Sequence, residues 1–152
     1  MELFRIAKEK FATDLSGNGA RLYGGRWNSE GVFAVYTSST RALALLETLA
    51  HTPAKMLEVQ SYLLITLSVP DTIKPVLMDI ENFPQGWDAP GIKPFTRTTG
   101  DQFLRDKKEL LIAVPSVLVP EEFNYVINPL HAVMKRIKIT HKRKIQFDKR
   151  IA

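Results

Sequence analysis

The 152-residue chain contains no cysteine and no run of 18 apolar residues. Without thiols it can form no disulfide framework, no cysteine nucleophile and no zinc–thiolate site. The missing apolar run argues against a membrane-spanning helix. The first residues, MELFRIAKEKF, also lack the long apolar stretch of a signal peptide. We therefore expect a cytoplasmic protein that makes no contact with a membrane.

The composition is that of an ordinary globular protein. Hydrophobic residues make up 45% of the chain and charged residues 24%, which excludes an intrinsically disordered chain. The length predicts one domain over residues 1–152. Predicted strands and helices are interleaved, but the helices are few, so the fold class is α+β, with mixed or antiparallel sheets.

The net charge of +5 is concentrated at one end of the chain. Residues 131–152 hold 8 of the 21 Lys and Arg residues and one of the 16 acidic residues. Within this segment apolar residues such as Ile137 and Ile145 fall on odd positions, and basic residues such as Lys142 and Lys144 fall on even ones. This alternation predicts a pair of strands with one face in the core. A functional basic surface over residues 135–150 is the alternative.

Local patterns predict the remaining elements. Thr40 can cap a helix that Pro53 ends, so RALALLETLAH predicts a helix over residues 41–51. Two segments are predicted to be loops, residues 13–31 and residues 70–97, and the first loop is expected to be ordered. An extended segment is predicted after Pro115, over residues 116–119. A short helix is expected over residues 100–108. Strands are expected over residues 3–6, 32–38, 61–69 and 110–114.

Glu47 is the most informative single residue. Its helix is apolar on nearly all sides, which predicts that the helix is buried. A carboxylate in that setting is destabilising by several kcal/mol unless it is paired or faces a cleft. One interpretation is an ion pair with His51 or an arginine, and the other is a functional acid.

Arg26 lies in the sequence Gly24-Gly25-Arg26-Trp27-Asn28. Two glycines let the backbone approach a ligand closely. A guanidinium beside them can bind a phosphate or carboxylate through two hydrogen bonds. The alternative is a turn in which the arginine only caps the loop.

Tyr36 and Ser116 carry weaker signals. Tyr36 lies on a predicted strand, where a half-buried aromatic residue is common. Ser116 follows Pro115 between two extended segments, where serine is usually a turn residue. No Gly-x-Ser-x-Gly motif surrounds it, which argues against a serine hydrolase.

The sequence offers no pattern for a metal or for the common nucleotide-binding loops. The three histidines, His51, His131 and His141, form no i, i+4 pair, so we expect no catalytic metal. A P-loop and a Gly-x-Gly-x-x-Gly motif after a strand are both missing, which argues against Walker or Rossmann binding of a nucleotide.

Several short segments together resemble the RES domain family, which is named for an Arg, a Glu and a Ser. They occur in the order found in that family and span residues 3–151. The matching segments are LFRI at 3–6, DLSGNGAR at 14–21, GGRWN at 24–28, VYTS at 35–38, ALALLE at 42–47, VPS at 114–116, VPEE at 119–122, NY at 124–125, NP at 128–129 and FDKRI at 147–151.

The resemblance implies the toxin of a bacterial RES–Xre toxin–antitoxin pair, with a fold similar to the ADP-ribosyltransferase toxins of the diphtheria group. Such toxins consume NAD, and the acceptor of the ADP-ribose is water, phosphate or, in some members, a protein. The implied chemistry uses NAD as substrate and needs no metal. The implied partner is an Xre-type helix-turn-helix antitoxin that blocks the active-site cleft, so that DNA is contacted only through the antitoxin.

The residue match implies a set of site residues. The active-site set is Arg26, Tyr36, Glu47 and Ser116, with Arg5 as a second anion contact and Asn128 as a further substrate-binding residue. Two alternatives stay open at this stage. One is a catalytically inactive member that acts as an interaction partner, and the other is a non-enzymatic basic binding module that uses residues 135–150.

Overall fold

The computed structural model describes residues 1–91 and 93–151, and the seven strands of these residues form one mixed sheet. The strands are β1 (Glu2–Lys8), β2 (Val35–Ser38), β3 (Tyr62–Ser68), β4 (Val76–Leu77), β5 (Leu111–Pro115), β6 (Phe123–Ile127) and β7 (Lys138–Ile145). The helices are α1 (Asn18–Tyr23), α2 (Arg41–His51), α3 (Ala54–Val59) and α4 (Pro94–Asp106). The predicted α+β class is confirmed. No helix of the described residues is long and apolar enough to cross a bilayer.

The sheet is nearly divided near its middle, between β2 and β1. Its order is β4-β5-β6-β2-β1-β3-β7, and every neighbouring pair is antiparallel except β4 and β5. Seven residue pairs join β1 to β3, and four join β2 to β6. In contrast, only Phe4 and Ser38 pair between β1 and β2. The two strands therefore separate beyond this point and leave an opening in the sheet.

Apolar side chains on both faces of the sheet form the core. Leu3, Val35, Ile65, Leu67, Leu111 and Ile127 pack together on one face. The other face carries two smaller clusters, one around Trp27, Ile112, Val114 and Val126, and one formed by Phe4, Ala44 and Leu64. These alternating positions follow from the pleat, since successive residues of a strand point to opposite faces.

Helix α2 has the predicted bounds, but it is not buried on all sides. The Thr40 side chain accepts a hydrogen bond from the Leu43 amide, and the helix ends at His51, before Pro53. Leu43 and Ala44 are buried, whereas Leu46 is 40% exposed. The prediction of a buried helix was wrong because α2 covers only one face of the sheet, so its outer side meets solvent.

Two helices differ from the sequence prediction. Part of the segment expected to be loop, residues 13–31, forms α1. Helix α4 begins at Pro94 rather than near residue 100, with proline in its first turn. Gly100 lies inside α4 because a Cβ there would come within 1.7 Å of the Trp27 backbone oxygen. The glycine that resembled a helix start is therefore a close-packing position.

The C-terminal segment forms one strand, not two. Residues Met134–Arg136 form a 3-10 turn, and β7 follows as an edge strand. The pairing of β7 with β3 shifts register between Ile139 and His141, which places one extra residue in β7. Ile139 consequently pairs with Leu67 and Ile145 with Tyr62, positions on opposite faces of β3. The odd-numbered apolar residues thus do not share one face.

Two further segments also differ. Residues 116–119 were expected to be extended, but residues 117–119 are bends that follow β5. Strand β6 lies in a segment for which no strand was predicted. The expected strands at 3–6, 32–38, 61–69 and 110–114 correspond to β1, β2, β3 and β5 with shifted ends.

Candidate active site

A cavity of about 730 Å³ opens where β1 and β2 separate. Its walls come from these two strands, α1, the turn at residues 24–27 and α2. The volume is within the range of small-molecule sites. Four of the predicted site residues line it: Arg5, Arg26, Tyr36 and Glu47. Residues far apart in the chain are therefore brought to one cleft.

The carboxylate of Glu47 is held by one of its two oxygens. Oε1 accepts hydrogen bonds from Ser116 Oγ at 2.7 Å and from Asn124 Nδ2 at 2.8 Å. Oε2 lies 4.0 Å from His51 Nε2 and accepts no hydrogen bond from the described residues. The Glu47 side chain is 18% exposed. The two donors compensate the partial burial of the charge, and the second oxygen stays available to a ligand.

Ser116 acts on Glu47 rather than on the cavity. It is fully buried and is not part of the cavity wall. Its Oγ accepts hydrogen bonds from the Leu118 and Val119 amides, both at 3.1 Å. Since a hydroxyl has one proton and two acceptor positions, these contacts direct the proton of Ser116 toward Glu47. The geometry favours a positioning residue over a nucleophile.

Asn124 is a site residue that the sequence analysis did not identify. It lies on β6 and lines the cavity. Its Oδ1 accepts a hydrogen bond from Ser38 Oγ at 2.7 Å, which fixes the amide with its nitrogen toward Glu47. Asparagine is uncommon in strands, so an Asn in a β-rich segment was the available signal.

The hydroxyl of Tyr36 is bound within the protein. It donates to Asn28 Oδ1 at 2.7 Å and accepts from the Trp27 amide at 3.0 Å. Burial raises the pKa of Tyr36 far above its usual value. The hydroxyl therefore remains protonated, and Tyr36 contributes to the cavity through its ring rather than as an acid or base.

The turn that carries Arg26 is packed against Tyr36. A Cβ on Gly25 would lie 2.8 Å from the Tyr36 hydroxyl and 2.9 Å from Asn28 Oδ1. Only glycine therefore fits at position 25. Asn28 is fully buried, and its Nδ2 donates to the backbone oxygens of Ala20 at 2.9 Å and Val32 at 3.0 Å. Asn28 is thus a second residue whose role the sequence analysis missed.

The turn is also tied to α4. The amide of Ser29 donates to Asp101 Oδ1 at 2.7 Å, and its hydroxyl donates to Asp101 Oδ2. Together with the contact of Gly100 and Trp27, this holds residues 24–29 in one position. A rigid support of this kind is what an accurately placed Arg26 requires.

Arg26 is partly used by the protein itself. Its Nη1 donates to the Trp87 backbone oxygen at 3.0 Å and its Nη2 to the Ala89 backbone oxygen at 3.3 Å. A guanidinium has five N–H donors, so three remain for a ligand. Arg26 therefore both anchors the segment around residues 87–89 and presents positive charge to the cavity.

Arg5 provides a second positive charge in the cavity. Its Nη2 lies 3.4 Å from the Phe11 oxygen and 3.5 Å from the Asp14 oxygen. Its Nε is buried and has no hydrogen-bond partner among the described residues. Burial lowers the pKa of Arg5, and the nearby Asp14 carboxylate partly offsets that effect. The Nη1 group of Arg5 makes no hydrogen bond with the described residues. Because Arg5 lines the cavity, this group can bind an anion there.

The structure does not bring Asn128 to the cavity. Its Nδ2 donates to the Leu104 oxygen at 3.0 Å and its Oδ1 accepts from the Leu130 amide at 3.1 Å. Asn128 is almost fully buried. Both ends of its amide join α4 to the segment after β6, so the predicted contact of Asn128 with substrate has no support in this geometry.

Within residues 1–91 and 93–151, no three His, Asp or Glu side chains are grouped closely enough to hold a metal ion. His51 is the histidine that lines the cavity.

Comparisons with known proteins identify the family to which this sequence is similar. The sequence profile of the RES domain matches residues 2–148. The chain is 43% identical over 145 residues to the Prs ADP-ribosylating toxin of Sphingobium sp., an alignment that covers 92% of this chain and 88% of that toxin. It is 34% identical over 131 residues to the toxin Res of Photorhabdus laumondii, covering 86% and 83%.

The fold is similar to that of a solved structure, the M. tuberculosis MbcT–MbcA toxin–antitoxin complex. The TM-score is 0.79, and the alignment covers 95% of this chain and 84% of that chain at 19% identity. At this identity the comparison establishes a common fold.

Proposed function

This chain belongs to the RES domain family, and we propose that it is the toxin of a bacterial toxin–antitoxin pair that uses NAD. The proposed reaction breaks the bond between nicotinamide and ribose, in a fold similar to the ADP-ribosyltransferase toxins. The observation that carries the proposal is the Glu47 carboxylate. One of its oxygens is held by Ser116 and Asn124 and the other is free in a cleft that also contains two arginines.

Glu47 suits a reaction in which positive charge develops on a sugar. When the C1′–N bond breaks, the electron pair leaves with nicotinamide, which departs as a neutral molecule, and the ribose acquires oxocarbenium character. A carboxylate near this carbon stabilises that charge, as in glycoside hydrolysis. Because the leaving group is neutral, the step requires no proton donor, and we propose that it requires no metal.

Arg5 and Arg26 are the proposed binding site for the diphosphate of NAD. Both line the cavity that contains Glu47, and both keep N–H donors that the protein does not use. Charge-assisted hydrogen bonds from guanidinium groups to phosphate oxygens are strong and directional. The ring of Tyr36 is the proposed surface for the nicotinamide.

The acceptor of the ADP-ribose decides the kind of enzyme. An oxygen nucleophile adds to C1′ and loses its proton, so water gives a glycohydrolase and phosphate gives a phosphorylase. Transfer to a protein is the second candidate. It is favoured by the name of the 43% identical relative, an ADP-ribosylating toxin.

The proposed partner is a neutralising antitoxin with an Xre-type helix-turn-helix domain. The similar fold in a toxin–antitoxin complex supports an antitoxin partner, and the Xre type rests on the family resemblance. We propose that the antitoxin closes the cavity and that it contacts DNA, while the toxin works in the cytoplasm. The basic residues of β7 lie outside the cavity wall, so a separate basic binding module does not explain the site.

The test is incubation of the purified chain with NAD in EDTA, with and without phosphate. We expect release of nicotinamide, and mass spectrometry of the second product distinguishes ADP-ribose from its phosphorylated form. Labelled NAD added to a cell extract reports transfer to protein. Absence of nicotinamide release under all three conditions contradicts the proposal. Binding to a partner that weakens steeply as the salt concentration rises instead supports the basic binding module.

A further inference from the structure

Three large apolar side chains meet solvent at the mouth of the cavity. Phe11 is 52% exposed, Leu22 50% and Tyr23 80%, although all three line the cavity. We call these residues the apolar rim. Single exposed apolar residues are ordinary on a protein surface, whereas a group around a cleft marks a binding surface.

Each arginine of the cavity has an aromatic rim residue close to it. Arg5 Nη2 lies 3.4 Å from the backbone oxygen of Phe11. Tyr23 is the last residue of α1, and two glycines separate it from Arg26. The helix ends at Tyr23 because Gly24 adopts a φ of +69°, a conformation that favours glycine. Phe11 and Tyr23 therefore line the same cavity as the proposed diphosphate site, and their backbone is close to its arginines in space or along the chain.

We propose that the apolar rim binds the adenine base of NAD, with the Tyr23 ring as its stacking surface. This inference rests on the proposed function. If the diphosphate lies at the two arginines and the nicotinamide ribose at Glu47, adenine is the remaining flat aromatic group. It needs an apolar surface near the arginines, and the rim provides one.

The ring of Tyr23 is more accessible to a ligand than the ring of Phe11. The Lys10 ammonium lies 5.1 Å from the centroid of the Phe11 ring, whereas no cation lies over Tyr23 among the described residues. Purine bases stack well on such rings because every base has a π face. Phe11 and Leu22 then complete the apolar surroundings of the base.

The first test compares NAD with nicotinamide mononucleotide, which has the same scissile bond but no adenine. We expect Tyr23→Ala to raise the KM for NAD about tenfold or more, to leave kcat unchanged and to leave the KM for the mononucleotide unchanged. Tyr23→Phe should behave like the parent chain. Leu77→Ala is the matched control, since Leu77 is 70% exposed and lies outside the cavity wall. Phe11→Ala should show the same selectivity for NAD with a smaller effect.

The second test does not depend on turnover. Calorimetry should show that Tyr23→Ala weakens binding of ADP but not of inorganic pyrophosphate. If the parent chain binds ADP through Tyr23 and releases no nicotinamide, the rim is supported and the proposed function fails. If NAD turnover is normal but Tyr23→Ala changes neither KM, or changes both equally, the rim proposal is overturned. It is also overturned if the parent chain binds no ADP.

Discussion

Asn124 Nδ2 lies 2.8 Å from Glu47 Oε1, the oxygen that Ser116 also binds. Both donors therefore fix one side of the carboxylate and leave Oε2 to the cavity. The donor groups are themselves oriented, Asn124 by Ser38 and Ser116 by two backbone amides. Glu47 thus combines a fixed position with a free oxygen, which is the arrangement that electrostatic catalysis requires.

Glu47→Gln tests the charge without changing the packing. The glutamine oxygen can accept both hydrogen bonds that now reach Oε1, so we expect an unchanged or higher melting temperature. Loss of the negative charge should lower kcat at least about 100-fold with near-normal binding of NAD. Glu58→Gln, on the exposed side of α3, is the control. Near-parental turnover in folded Glu47→Gln removes Glu47 from the mechanism.

Asn124→Asp tests the positioning of Glu47. The change removes a donor to Oε1 and adds a second carboxylate beside the first, so we expect kcat to fall about 10- to 100-fold while the KM for NAD changes little. Ser38→Ala, which only frees the Asn124 amide to rotate, should lower kcat less. A larger effect on KM than on kcat would assign Asn124 to substrate binding instead.

Tyr36→Phe keeps the ring and removes the hydroxyl. Two partly buried hydrogen bonds are lost, so the free energy of unfolding should fall by about 1–3 kcal/mol. The fold and the cavity ring remain, so turnover should persist at saturating NAD. Tyr125→Phe is the control, because the Tyr125 hydroxyl makes no hydrogen bond with the described residues. Complete loss of turnover in folded Tyr36→Phe would give the hydroxyl a chemical role.

The burial of Tyr36 also predicts a pH dependence of stability. The pKa of Tyr36 is raised in the folded protein, so above pH ~10 the unfolded chain loses this proton first. The stability that the buried, protonated hydroxyl contributes is complete below pH ~10 and is lost as the pH rises above it. Chemical unfolding at pH 8 and pH 11 should therefore show a smaller alkaline loss of stability for Tyr36→Phe than for the parent chain. Equal losses would contradict the burial of this hydroxyl.

Gly25→Ala tests the close approach at the arginine turn. The new methyl group would lie 2.8 Å from the Tyr36 hydroxyl, so the turn must shift, and we expect a lower melting temperature together with weaker binding of NAD. Gly19→Ala is a matched control for the melting temperature, because a Cβ at this position in α1 meets no atom within 4 Å; Gly19 also lines the cavity, so NAD binding is not compared. That change should be neutral or slightly stabilising. Equal melting temperatures of the two variants would show that the close contact at Gly25 does not exclude a side chain.

Arg26→Lys tests whether the fork of the guanidinium matters. Lysine keeps the charge but cannot donate to Trp87, Ala89 and a diphosphate at the same time. We therefore expect the Kd for NAD to rise about tenfold in Arg26→Lys, and Arg26→Ala should bind NAD still more weakly. Kd values from titration calorimetry on the Glu47→Gln background avoid turnover. Full affinity of the lysine variant would reduce Arg26 to a general positive charge.

Local sequence signals were enough to predict the bounds of some helices and strands but not of others. The bounds of α2 follow from Thr40 and Pro53, which act on neighbouring residues. The start of α4 was missed because Gly100 serves the contact with Trp27, which the sequence does not reveal. The extra residue in β7 depends on pairing with β3, so the alternation of its residues was not enough to predict which face each occupies.

The same distinction applies to the site. Arg26 and Glu47 stand out because glycines or apolar residues surround them in the sequence. The roles of Asn124 and Asn28 become clear only through their hydrogen-bond partners, and Asn124 meets Glu47 across 77 residues of chain. The tertiary structure was therefore needed to distinguish Ser116, which supports the carboxylate, from a residue of the cavity wall.

The order in which the chain is synthesised determines when the site can form. The hydrogen-bond partners of Glu47 lie 69 and 77 residues further along the chain. A growing chain that has completed α2 therefore has the carboxylate but neither of its anchors, and strand β2 still lacks its partner β6. The anchored carboxylate is assembled only after residue 124 has been made, so a ribosome-bound fragment that ends before Asn124 has no complete site.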